Sequence, residues 1–238
     1  MVSFANDAEL AAAAAREWLR EVEAPRRGGG LYCVALSGGR IARRFFAAAA
    51  SQAQAQRSAL SGVHFFWSDE RCVPPTDPES NFALARELLL APLGVPERQI
   101  HRVRGEEAPE LAAGAAETEL CGIAPRDAEG QPVLDVVFLG LGEDGHVASL
   151  FPGESEEAMS SKAVYRPVVA AKPPPRRITI GYRAIGAARR VWVLASGTGK
   201  EKALDQSLAA GGQTPLARVL KLRAHTRIFT DIRPAGRL

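Results

Sequence analysis

The sequence predicts an α/β fold, a doubly wound and mainly parallel sheet flanked by helices. Three observations predict it. Short, continuously apolar runs recur at 31–36, 63–67 and 133–142, as expected of parallel strands buried on both faces. Helical stretches lie between most of the strand segments, so strand and helix alternate through most of the chain. Small or charged turns follow the strands, at SGGR, SDER, GLGEDGH and SGTGK, where ligands bind in such sheets.

The elements follow in order. Asn6 or Asp7 caps a first helix in which Leu10, Ala14, Trp18 and Val22 recur at helical spacing before Pro25 and the glycines at 28–30 stop it. LYCVAL (31–36) is a strand, and a helix runs from Ile41 through the alanine tract to Gln56. VHFFW (63–67) is a second strand, leading into a loop, SDERCVPPTDPES, whose last residue Ser80 caps a helix over 81–93. A helix over 106–122 precedes the strongest strand signal, 133–142. Three strand-like segments follow at 165–169, 176–182 and 189–195, with PPP at 173–175 as a stiff connector. A helix starting near Lys200 and a strand at 225–232 complete the chain.

The chain of 238 residues is read as a single domain, with 46% hydrophobic residues supplying a core and excluding general disorder. Thirty Lys and Arg against 27 Asp and Glu leave a net charge of +3, too small for a dedicated nucleic-acid binder. Apolar runs fall short of a membrane span, and the N-terminal stretch lacks the basic-then-apolar order of a signal peptide. Cys33, Cys72 and Cys121 are scattered, which predicts free thiols in a cytoplasmic setting and no structural zinc. No metal motif is present, so neither metal nor cofactor is expected.

Four constellations can carry chemistry. Ser37-Gly38-Gly39-Arg40 joins a strand to a helix N-terminus and suits an anion, although the same turn also serves as an ordinary connection. Asp69, Glu70 and Arg71 follow a buried strand, and alternation lets at most two of them face a pocket; Arg71 suits an oxyanion. Asp144 and His146, in a glycine turn after the central strand, form a carboxylate–imidazole pair fit for general-base work. The turn reads GxGxDGH, which departs from a dinucleotide fingerprint after its first glycines, and Ser149 lacks the GxSxG setting of a nucleophile. Arg176, Arg177 and Lys200 are the remaining basic candidates, and His64, His101 and His225 lack sequence partners.

Together, ALSGGR (35–40), FFWSDERCVPPTDPESNF (65–82), DVVFLGLGEDGHVASLFPG (135–153), and RITI (177–180) followed by VWVLASGTGKEKAL (191–204) resemble the 6-phosphogluconolactonase family in order and nearly over the whole chain. The resemblance implies a sugar-phosphate isomerase-like fold and hydrolysis of 6-phospho-D-glucono-1,5-lactone in the pentose phosphate pathway. It implies that Ser37, Gly38 and Gly39 cradle the phosphate, with Arg177 and Lys200 as its basic partners. Asp69 and Arg71 would hold substrate, and His146, tuned by Asp144, would draw a proton from water. The expected partner is thus a small phosphorylated sugar lactone, with no nucleic acid and no membrane, and the expected state is a monomer or weak homo-oligomer. One departure stands out: the family continues its glycine loop with a small hydroxyl residue, Thr and Pro, where this chain has Arg40, Ile41 and Ala42. Arg40 is expected to compensate by charge. The related deaminases carry a Glu where this chain has Phe151, which disfavours their chemistry. A non-catalytic sugar-phosphate sensor would carry an N-terminal DNA-binding module, for which the single helix before the first strand leaves no room.

Overall fold

The computed structural model describes residues 1–24, 30–56, 60–223 and 225–233; Pro25, Gly28 and Gly29, expected to stop the first helix, lie outside them. Six parallel strands form the main sheet: β1 (Val2–Ser3), β2 (Tyr32–Leu36), β3 (Val63–Trp67), β5 (Val136–Gly140), β8 (Val191–Ala195) and β9 (Thr226–Thr230). Their order across the sheet is β1-β9-β8-β5-β2-β3. Every residue of β2 and β8 is buried, which is why these strands read as continuous apolar runs.

Helices α1 (Asp7–Glu23) and α2 (Arg40–Gln56) cover one face. Asn6 starts α1 by accepting the Glu9 N–H at 2.9 Å, and the helix ends at Glu23 with Ala24 as its cap. An aromatic seam glues these helices to the sheet: Trp18 packs on Phe45, Phe65 and Phe138, and Phe138 on Trp192, with ring centres 5.6–6.4 Å apart. α4 (Pro109–Ile123) packs against a second, three-stranded sheet. Its strands are β4 (Asp69–Arg71), β6 (Tyr165–Val169) and β7 (Arg176–Ile180), in the order β4-β7-β6. Tyr165 ties the two layers by donating its hydroxyl to the Trp67 carbonyl at 2.7 Å.

The second sheet completes one expectation and corrects another. The segments at 165–169 and 176–182 do not extend the parallel sheet but pair antiparallel with each other, and Pro167 is tolerated because β6 is an edge. The stretch expected as a loop after β3 contains β4, which pairs with β7 in the register Asp69↔Thr179 and Arg71↔Arg177. Its three charged residues hide a strand whose partner lies about a hundred residues away. Ser68 is the joint between sheets: its N–H donates to Leu36 of the main sheet at 2.7 Å, and its carbonyl accepts from Ile180 of the small one at 2.8 Å.

The helix expected over 81–93 is α3 (Asn81–Ala85) continued by a wide π-helical turn, Arg86–Leu90, ahead of Pro92. Short helices α5 (Glu156–Ser160) and α6 (Tyr182–Ala187) precede β6 and follow β7 in the chain, α7 (Glu201–Leu208) follows Lys200, and α8 (Pro215–Leu222), not expected from the sequence, precedes β9. From β2 the chain moves outward to β3, and from β5 it moves the other way to β8 and β9. The direction reverses between β2 and β5, so a crevice opens at their carboxyl ends.

Candidate active site

Three walls meet at that crevice, which is lined among others by Ser37, Gly38, Gly39, Arg40, Asp69, Arg71, His146, Arg177 and Lys200. Every site residue expected from the sequence except Asp144 is therefore on one surface, and Asp144 stands directly behind His146.

The first wall is the end of β2. Gly39, at φ +97°, accepts the Arg43 N–H through its carbonyl and so occupies the position before α2. It has no side chain to cap the helix, and the first turn carries no acid, so the N-terminal N–H groups of a 17-residue helix open on the cleft. Gly38 has a different reason to be glycine. A Cβ there would sit 1.8 Å from Asn81 Oδ1, so its empty side-chain space belongs to Asn81 rather than to a close-lying anion.

The second wall is the end of β5. Gly142 donates to the His146 carbonyl at 2.9 Å and Gly145, at φ +84°, donates back to Gly142, folding 142–146 into a tight turn. Asp144 Oδ1 accepts from the His146 backbone N–H at 3.1 Å and from its Nδ1 at 2.5 Å. That bond places the ring proton on Nδ1, so the neutral imidazole carries its lone pair on Nε2. Partial burial pushes the Asp144 carboxyl up, but the His146 N–H donors and charge outweigh it and hold it below the usual carboxylate range. A Cβ at Gly142 would lie 2.1 Å from His146 Nδ1, so that glycine makes room for the ring. Phe151 packs against the imidazole with ring centres 5.0 Å apart. Ser149 is no partner of His146: its Oγ donates to Asp69 Oδ2 at 2.7 Å.

The third wall is the small sheet. Asp69 and Arg71 face the cleft and Glu70 points away, as strand alternation requires. Arg177, opposite Arg71, is pinned by Nε to Pro174 O at 3.0 Å and by Nη2 to Lys172 O at 3.3 Å, and its guanidinium lies over the Phe151 ring. Arg71 donates from Nη1 to the Glu79 carbonyl at 2.5 Å, and its buried Nε has no partner. Burial, followed by the charge of Arg71, holds Arg177 below its usual range; burial, followed by the charge of Arg40, does the same to Lys200. Among the described residues four cations thus line the cleft with one carboxylate, Asp69, and two pairs of them repel each other. Such an arrangement calls for an anion.

Several contributors carry no signal in the sequence. Asn81 lines the cleft and donates Nδ2 to the Asp69 carbonyl and to Asp69 Oδ1, a role that only packing against Gly38 reveals. Asp231 accepts from Ser196 Oγ at 2.8 Å and from Gly197 N at 3.2 Å, steadying the loop that presents Lys200. Of the other basic candidates, Arg176 is exposed on β7 and outside the cleft. His64 and His101 do have partners: they bond to each other at 2.8 Å, and His101 to Glu119 at 2.6 Å, beside β3 and away from the site. Cys72 and Cys121 are free thiols. Among the described residues no group of three His, Cys, Asp or Glu is placed to hold a metal, and no helix is long and apolar enough to cross a membrane.

Comparison with known proteins gives a consistent result. Residues 5–229 match the family model described as glucosamine-6-phosphate isomerases/6-phosphogluconolactonase. A protein of Treponema pallidum (strain Nichols) named 6-phosphogluconolactonase is 39% identical over 188 residues, 78% of this chain and 74% of that one. One of the same name from Streptomyces coelicolor is 34% identical over 242 residues, covering 98% of this chain and 92% of its own. The solved 6-phosphogluconolactonase of Trypanosoma brucei superposes with a TM-score of 0.84 at 30% identity, over 97% of this chain and 94% of that one.

Proposed function

The chain belongs to the glucosamine-6-phosphate isomerase/6-phosphogluconolactonase family, and from that premise we propose that it hydrolyses 6-phospho-D-glucono-1,5-lactone to 6-phospho-D-gluconate. The observation that carries this reading is the pairing of a carboxylate-oriented histidine with a cation-lined cleft.

The substrate phosphate sits at the N-terminus of α2, against the Ser37–Gly39 turn, with Arg177 and Lys200 as its charged partners and Arg40 adding charge where a hydroxyl is missing. Asp69 and Arg71 receive the sugar hydroxyls. His146 Nε2 takes a proton from a water molecule as its oxygen attacks the lactone carbonyl. The carbonyl electron pair moves onto oxygen, and the cleft cations stabilise that oxyanion. Collapse reforms the carbonyl and breaks the bond to the ring oxygen, which takes the proton back from the His146 imidazolium. Ionised Asp144 holds the ring in one tautomer and steadies its positive form. One water is consumed, no electrons are transferred, and the product is the open-chain acid.

The family model also spans isomerases of amino-sugar phosphates. Phe151, packed on His146, cannot relay protons as a carboxylate would, which favours the lactonase. The test is hydrolysis of freshly prepared 6-phosphogluconolactone, followed above its spontaneous rate. Enzyme-dependent acid release is expected; a rate equal to background, or turnover of glucosamine 6-phosphate instead, overturns the proposal.

A further inference from the structure

Glu70 does not reach the cleft, yet it is the most heavily engaged carboxylate near it. It is 2% exposed. Its Oε1 accepts the backbone N–H groups of Arg71 and Asn81, both at 2.7 Å, and its Oε2 accepts from Phe82 N at 2.8 Å and Ser80 Oγ at 3.0 Å. One side chain therefore clamps both ends of the excursion from β4 to α3. Two of the residues it grips by the backbone, Arg71 and Asn81, line the cleft, and Asn81 in turn donates to Asp69. We infer that Glu70 is a positioning residue that sets the spacing of the substrate-binding wall formed by Asp69, Arg71 and Asn81. The inference rests on the reading of the cleft as a sugar-phosphate site.

The chemistry of the clamp makes it sensitive to protonation. Three of its four partners are backbone N–H groups, which can only donate; a protonated carboxyl can offer its own hydrogen only to Ser80 Oγ. The charged and titratable groups facing it are Asp69 and Arg71 on its own strand, the Cys72 thiol, and Arg102, which stacks on Phe82. Burial pushes Glu70 up to about 7, against the pull of the Asn81, Phe82 and Arg71 N–H groups and with a further push from Asp69. As pH falls through that value the carboxylate is neutralised, the charge-assisted bonds to its backbone donors weaken, and the wall loosens.

The test is steady-state hydrolysis of the lactone by wild type, E70Q and S80A, with calorimetric binding of 6-phosphogluconate to each. E70Q keeps the shape but turns an N–H2 group towards backbone donors, so KM and the 6-phosphogluconate Kd are expected to rise roughly tenfold or more while kcat stays within about threefold. The wild-type KM is expected to climb as pH drops through about 7, and that limb is expected to be missing from E70Q; ionisation of the substrate phosphate affects both proteins equally. If E70Q does not fold, S80A, which removes one of the four bonds, is expected to raise KM by about threefold. A folded E70Q with wild-type KM, a loss confined to kcat, or an S80A with unchanged KM where E70Q fails to fold, overturns the inference. A wild type that neither hydrolyses the lactone nor binds 6-phosphogluconate overturns the functional reading and this inference with it, whereas an active wild type with an indifferent E70Q overturns the inference alone.

Discussion

The two sides of the cleft are built by different physics. The main-sheet side is made of turns after parallel strands, and its glycines at positive φ, Gly39, Gly145, Gly197 and Gly199, let the backbone bend so that N–H groups, His146 and Lys200 reach inward. The small-sheet side has no such glycines. It presents Asp69, Arg71 and Arg177 from paired strands, with the two arginines in register across the ladder. Like charges placed opposite each other weaken a sheet. On the proposed reading they are kept because the fold holds them ready for the substrate phosphate. On that reading the turn side supplies the reactive histidine together with phosphate-binding groups and the strand side supplies fixed charge, so changes around His146 should strike kcat and changes to the strand-side charges should strike KM.

The largest effect is expected at His146. H146A should lose about 10²- to 10⁴-fold in kcat, the usual worth of a general base, while calorimetry still detects 6-phosphogluconate. Retained turnover would remove His146 from its role and leave the turn side without its reactive group. Next is G142A, whose methyl group must displace the ring that lies 2.1 Å from its Cβ position. A misplaced base costs on the order of 10²-fold in kcat with little change in KM, and a rise in KM alone would break the division between the two sides.

Arg177 tests the strand side. Losing a charged hydrogen-bonding group of this kind costs about 1.5–3 kcal/mol, so R177A should raise KM roughly 10- to 100-fold at nearly unchanged kcat. R177K should rescue little, because lysine cannot hold the Pro174 and Lys172 carbonyls while reaching into the cleft. An equal fall in kcat would show the guanidinium acting on the oxyanion and would sharpen its assignment. The smallest effect belongs to Arg40, which is exposed at the start of α2. R40A should raise KM by only about threefold, since exposed charges are well screened, and an unchanged KM would mean that it does not compensate for the missing hydroxyl.

Much of the molecule is legible in its amino-acid sequence. The parallel strands announce themselves because burial on both faces demands unbroken apolar runs such as YCVAL and VWVLA. The turn side of the site is equally plain, since each of its residues lies in a glycine-bearing segment directly after such a strand, and local chemistry determines what a short turn can do. Asp144 and His146 are two residues apart, so their contact needs only the turn itself.

The remainder is decided by tertiary structure, because its partners are distant along the chain. Nothing near Asp69-Glu70-Arg71 shows that it is a strand, since the partner that makes it one is Arg177–Thr179. Nothing near Asn81 shows that it fills the space beside Gly38, or that Glu70 grips its backbone. Sequence patterns record what a residue needs from its neighbours in the chain, such as burial, periodicity and turn geometry. Which charges meet across a cleft depends on how the layers stack, and that is settled only when the small sheet docks on the large one.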